Sequence, residues 1–258
     1  MCASLYAASE VTAKVGSGAT VKITEATDYP FSDTVRLKVS TAQSVKFPLY
    51  LRIPRWCQNA SVKVNGKALA LAATPLSYAV IHRPWKDGDT VALQLPMRVA
   101  VRRWEKNQNS ASVDLGPLTF SLKIGERWAK YGNNAAWPEY EVFPTTAWNY
   151  GLQLDAAHPA NSFKVVRKHG PLASNPFTPQ TAPVELRVRG RRIPAWEMDR
   201  AGLVGKLQPS PVRSDRPIET INLIPMGAAR LRISSFPVIG RGQDAHEWTQ
   251  PQAASPAR

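Results

Sequence analysis

The sequence predicts an all-β protein made of two tandem antiparallel β-sandwich domains of jelly-roll type. Short runs of alternating apolar and polar residues recur every 8 to 15 residues, each bounded by Gly, Pro, Asn or Asp, which is the pattern of half-buried strands. In the N-terminal part no segment keeps apolar residues at i, i+3, i+4 and i+7 for three turns, and prolines at 30, 48, 54, 75, 84 and 96 would interrupt a helix. The chain has 258 residues, 43% of them hydrophobic, with 22 prolines and 15 glycines, enough for one large domain or two small ones.

The elements follow in order. TVKITE, from Thr20 to Glu25, places Val21 and Ile23 on one face, and TVRLKV, from Thr34 to Val39, does the same with Val35, Leu37 and Val39. In KFPLYLRIP the residues Phe47, Leu49, Leu51 and Ile53 alternate. In SVKVNGKAL the strand carrying Val62 and Val64 runs into Asn65-Gly66, a pair suited to the positive φ angles of a type I′ hairpin turn. Strands are expected at Ser77 to Arg83, Thr90 to Met97 and Leu118 to Ile124, and Lys86-Asp87-Gly88-Asp89 turns the chain between the first two. Gly16-Ser17-Gly18 is a turn between strands, since no helix follows that could cradle a phosphate. From Gly125 to Pro159 the alternation loosens into long connections, with short strands near Glu141-Val142 and Gly151 to Leu154. Further strands are expected at Phe163 to Val166, Val184 to Val188, Ile193 to Met198, Glu219 to Ile224 and Ala229 to Ile233. The domains divide near Arg98: 4–98 form the first sandwich, 99–240 the second, and the polar run 241–258 a disordered tail.

No run of some 18 uncharged apolar residues occurs, so no membrane span is expected, and the start lacks the basic and apolar regions of a signal peptide. The compartment does not follow from these residues. The formal charge is +14, and residues 160–241 hold fourteen basic against five acidic residues, from Lys164 through Arg187, Arg189, Arg191 and Arg192 to Arg241. The alternating arginines of RVRGRR suit the solvent face of a strand, and no nucleic-acid recognition signature accompanies them. Their field favours adhesion to an acidic polysaccharide or a phosphate surface over nucleic acid.

Candidate chemistry is sparse. Two cysteines, Cys2 and Cys57, cannot form a disulfide framework or an ordinary zinc site. Cys57 reads as a small packed thiol. His82, His158, His169 and His246 are isolated, and no Gly-x-Ser-x-Gly elbow supplies a nucleophile. Two carboxylate pairs could be matched to glycoside hydrolysis: Glu139 with Glu141 on one side of a strand, and Asp87 with Asp89. Both read as solvated surface, the second as turn chemistry. Asn59-Ala60-Ser61 is a glycosylation sequon by pattern only. The aromatic stretch with Trp128, Tyr131, Trp137, Tyr140, Trp148 and Tyr150 is the best internal candidate, because sugars stack on exposed Trp and Tyr faces, although tryptophans are also common in sandwich cores.

The succession LYLRIPRWCQNASVKVNGKAL, YAVIHRPWKDGDTVALQLPM, GPLTFSLKIGERW, WNYGLQLD and ETINLIPMGAARLRISSFPVIG resembles the C-terminal part of the bacterial β-L-arabinofuranosidases of glycoside hydrolase family 127, over about residues 5 to 240. The resemblance implies an N-terminal (α/α)6 barrel followed by two β-sandwiches, of which this chain resembles only the sandwiches. The family's chemistry is understood to rest on a zinc-held cysteine thiolate and a glutamate acid/base, all on the barrel. Here Cys2 and Cys57 stand far apart with no Glu-x-Cys or Cys-Cys pair, so no catalytic residue carries over and no cofactor is expected in this chain. The implied role is non-catalytic support of the barrel, its expected partner. The alternative is an autonomous carbohydrate-binding module recognising arabinose-containing glycans. On either reading Trp128, Trp137, Trp148 and Tyr150 are the expected contacts, with glycan or between domains. A third reading, a free-standing enzyme using Glu139 and Glu141, is the least supported.

Overall fold

The computed structural model describes residues 1–240, 248 and 249. The all-β expectation holds: the chain forms eighteen β-strands and two short 3-10 turns among the described residues. It divides into two compact units, Met1–Arg98 and a second beginning at Val99.

The first unit contains β1 (Cys2–Ala3), β2 (Ser9–Val15), β3 (Ala19–Thr27), β4 (Thr34–Thr41), β5 (Val45–Ile53), β6 (Ser61–Val64), β7 (Lys67–Leu69), β8 (Ser77–Trp85) and β9 (Thr90–Gln94). They make a six-stranded sheet in the order β2-β3-β4-β9-β6-β7 and a three-stranded sheet in the order β1-β5-β8. All pairs are antiparallel except β1 with β5. The alternating residues of both sheets meet in one core: Val21, Ile23, Val35, Leu37 and Val39 from one, Phe47, Leu49, Leu51, Ile53, Ala79, Ile81 and Trp85 from the other. This interdigitation of two inner faces is what makes a sandwich. Trp85 is fully buried, its ring 5.8 Å from that of Phe47, and its indole N–H donates to the Phe47 carbonyl at 3.1 Å. The Asn65-Gly66 turn has φ angles of 49° and 77°, as a type I′ hairpin requires.

The second unit contains β10 (Val99–Trp104), β11 (Ser110–Leu115), β12 (Leu118–Leu122), β13 (Glu126–Tyr131), β14 (Glu139–Pro144), β15 (Tyr150–Leu152), β16 (Lys164–Arg167), β17 (Val184–Arg192) and β18 (Ile218–Pro225). Six run in the order β10-β11-β12-β18-β17-β15, and β16 shares an edge of β17 with β15. The segment around Phe236 to Ile239 returns past β11 and β15 through the bridges Ala111 to Phe236 and Leu152 to Val238. Phe236 is wholly buried there. At Gly151 a Cβ would come within 2.7 Å of the Ile239 Cδ1 and 2.9 Å of the Ile193 Cδ1, so any side chain there would have to displace these two isoleucine ends.

Several expectations need correction. Ile193 to Met198 is not a strand: Trp196 N–H turns back to the Ile193 carbonyl at 2.9 Å, and Pro194 has no N–H for a ladder. Ala229 to Ile233 is likewise irregular; it follows the 3-10 turn Met226–Ala228 and gives Leu122 one acceptor, the Ile233 carbonyl at 2.8 Å. The loose stretch after Gly125 instead holds the six-residue strands β13 and β14. The expected tail, 241–258, lies outside the described residues except for Trp248 and Thr249. Trp248 is 4% exposed and donates from Nε1 to the Asn109 carbonyl at 2.8 Å.

Candidate functional site

The aromatic stretch separates into two settings. Among the described residues β13 and β14 pair only with each other, in a two-stranded ribbon. Its register puts Trp128 opposite Val142 and Lys130 opposite Tyr140, so one face carries Trp128, Val142 and Tyr140, with the two rings edge to face at 5.8 Å. The other face carries Phe143 beneath the Arg127 guanidinium, 4.6 Å from the ring centroid, and Tyr131 opposite Glu139. Trp128 and Tyr140 are each 50% exposed, and Trp137, in the turn between the strands, is 78% exposed. Aromatic surface lies open on both faces of this arm.

Trp148 and Tyr150 belong elsewhere. Trp148 is half-buried, packed edge to face on Trp196 at 5.3 Å. Tyr150 begins β15, is 7% exposed, and donates its hydroxyl to Glu219 at 2.8 Å. Burial, and then that carboxylate, push its phenol up to about 12. The four aromatic candidates are therefore not one surface: Trp128 and Trp137 sit on the arm, whereas Trp148 and Tyr150 help pack the unit that carries it.

The remaining candidates are placed as follows. Glu139 and Glu141 are exposed on the Tyr131 face of the ribbon. Asp87 accepts the Thr41 N–H at 3.1 Å, and Asp89 is the hub of its turn, taking the Asn65 amide at 2.7 Å and the Lys86 N–H at 2.9 Å, with Arg83 at 3.6 Å. Partial burial pushes the Asp89 carboxyl up, but these hydrogen bonds and the guanidinium outweigh it and hold it below the usual carboxylate range. Cys57 is buried in the first core, and burial raises its thiol pKa, the opposite of activation. Cys2 is exposed. His82, His158 and His169 are exposed and His246 lies outside the described residues. No group of three or more His, Cys, Asp or Glu able to hold a metal occurs among the described residues. No helix there is long and apolar enough to cross a membrane.

Sequence reasoning passed over a buried polar cluster in the first unit. Tyr6 donates to the Arg52 carbonyl at 2.8 Å and meets Tyr29 edge to face at 5.9 Å, while Glu25, 8% exposed, accepts the Ala7 N–H at 2.9 Å. Burial raises the Glu25 pKa, only partly offset by that N–H. The residues are scattered over sequence, so no spacing could reveal them.

Residues 1–97 match the family described as the GH127 middle domain of beta-L-arabinofuranosidase. No curated protein matches the chain. Among solved structures, a GH127 beta-L-arabinofuranosidase from Geobacillus stearothermophilus T6 is similar at 26% identity with a TM-score of 0.61, over 92% of this chain and 33% of that one. A protein described as a glycoside hydrolase is 23% identical, with a TM-score of 0.62 over 93% of this chain and 36% of that one. A GH127 beta-arabinofuranosidase is 20% identical, with a TM-score of 0.61 over 92% of this chain and 34% of that one. These last two speak for the fold. The chain thus spans about a third of the length of these solved relatives, and the matched family is a middle domain, where the sequence suggested a C-terminal part.

Proposed function

We propose that this chain is the non-catalytic β-sandwich portion of a bacterial GH127-like β-L-arabinofuranosidase, acting in carbohydrate breakdown by supporting an (α/α)6 catalytic barrel. The observation that carries the reading is the match of residues 1–97 to the GH127 middle domain, joined to likeness with only a third of the G. stearothermophilus enzyme. The aromatic arm supports it: a two-stranded ribbon without a core is marginal in water, and covering Trp128, Tyr140 and Trp137 by a further domain would remove apolar surface from solvent. Zinc and the nucleophilic cysteine would belong to the barrel.

Size-exclusion chromatography tests this. The isolated chain is expected to self-associate, and co-expression with a GH127 barrel to yield a soluble complex. A second reading, a carbohydrate-binding module, draws on the 78% exposure of Trp137. A monomeric chain that binds arabino-oligosaccharide, and loses that binding in Trp137→Ala, would favour the module over the support.

A further inference from the structure

β17 carries Glu185, Arg187, Arg189 and Arg191 on its outer face, while Val184, Leu186 and Val188 point into the core. The two ends of this row are occupied: Glu185 takes the Lys123 ammonium at 2.7 Å, and Arg191 donates to the Arg216 carbonyl. The middle is not. Arg187 and Arg189 are exposed and form no ion pair among the described residues. Their neighbours across β18 are neutral, Asn222 and Thr220, and across β16 the residue directly opposite Arg187 is another cation, Lys164. Like charges directly opposite on adjacent strands are destabilising, so this placement is unfavourable for the fold alone and is relieved by an anion.

A polar recess adjoins the row. After β15 the Gln153 N–H still bonds the Arg189 carbonyl at 2.9 Å; the chain then loops away and rejoins the same edge of β17 as β16. Asp155 Oδ1 fixes the loop by accepting the Ala157 and His158 N–H groups at 2.9 and 3.0 Å. The recess, about 370 Å3, is lined by Gln153, Leu154, Asp155, Asn161, Ser162 and Arg189. Guanidinium forks match carboxylates, whereas amide, hydroxyl and carboxylate groups together suit sugar hydroxyls, which both donate and accept. Arg187 and Arg189 are two residues apart on a strand, about 6.7 Å, so they can hold carboxylates on one chain. A nucleic acid would find no aromatic side chain in the recess on which a base could stack.

We propose that the Lys164, Arg187 and Arg189 face, with the recess beside it, binds a carboxylated polysaccharide, a polyuronate. The face includes no residue of the aromatic arm. Titration of the full chain at low salt with polygalacturonate, its methyl-esterified form, dextran sulfate and oligothymidylate tests it. Polygalacturonate is expected to bind, with at least tenfold loss on esterification and at least tenfold loss in the Arg187→Gln/Arg189→Gln double variant. Asn161→Ala is expected to weaken polygalacturonate about threefold and leave dextran sulfate unchanged. Lys164→Gln is expected to raise Tm by about 1–3 °C at low salt, a gain that shrinks in high salt. No binding, binding indifferent to esterification, or equal affinity for all polyanions with no effect of Asn161→Ala would overturn the proposal, as would a fall in Tm for Lys164→Gln.

Discussion

The strand pairs β5–β8 and β13–β14 are both antiparallel hydrogen-bonded ladders, yet they stand in opposite relation to solvent. Along β5 every second residue from Val45 to Ile53 is buried, and β8 buries Ala79, Ile81 and Trp85 in phase with it. Along β13 and β14 no residue is fully buried, although the strands carry Trp128, Tyr131, Tyr140 and Phe143. Hydrogen bonding is common to both pairs, so the stability of the first must come from what lies under its inner face. The second has the residues for a core and no element among the described residues that completes it.

The largest loss is expected at Trp85. Trp85→Ala removes a buried ring and a buried hydrogen bond, and is expected to lower stability by about 3–5 kcal/mol in urea unfolding. Next comes Asp89, which ties β9 to the turns around it. Asp89→Ala leaves the Asn65 amide and the Lys86 N–H without their acceptor and should cost about 2–3 kcal/mol. Because its pKa is lowered on folding, the wild-type contribution is present above the usual carboxylate pKa and lost as pH falls through the folded value, so the variant and wild type should converge in acid. In the second unit, Tyr150→Phe removes the hydroxyl bonded to Glu219, with an expected cost of about 1 kcal/mol. With the phenol pushed up to about 12, that contribution is present below pH 10 and lost between about pH 10 and 12. Glu25→Gln should act in the opposite direction, raising Tm at pH 7 because it removes a desolvated charge while keeping an acceptor for Ala7; the gain should vanish as acid protonates the native glutamate. The smallest effect is expected on the arm, where Trp137→Ala should change stability by no more than about 0.5 kcal/mol. A large loss there would mean that the arm has a packed partner within the chain.

The same contrast explains what could be read from the sequence. TVKITE, TVRLKV and KFPLYLRIP announced β3, β4 and β5 because burial of one face imposes period two on the residues. Asn65-Gly66 announced its hairpin through backbone conformation. β11 was illegible for the opposite reason: SASVDL is buried almost throughout, with Ser110 and Ser112 inside, satisfied by Ser235 and the Trp104 indole at 2.7 and 2.8 Å. The arm gave no alternation because neither face is covered. Aromatic composition identified the stretch, but not that Trp148 and Tyr150 pack inward while Trp128 and Trp137 project. Which arginines on β17 stand outside ion pairs among the described residues depends on register with β16 and β18, which no local pattern encodes.

The chain is proposed to support glycoside hydrolysis without performing it. Incubating the purified full chain with a chromogenic β-L-arabinofuranoside, beside its Glu141→Gln variant, tests that claim most directly. Neither protein is expected to release chromophore above the buffer blank. Turnover by the wild type that disappears in Glu141→Gln would contradict that role, and would place a working carboxylate on the ribbon.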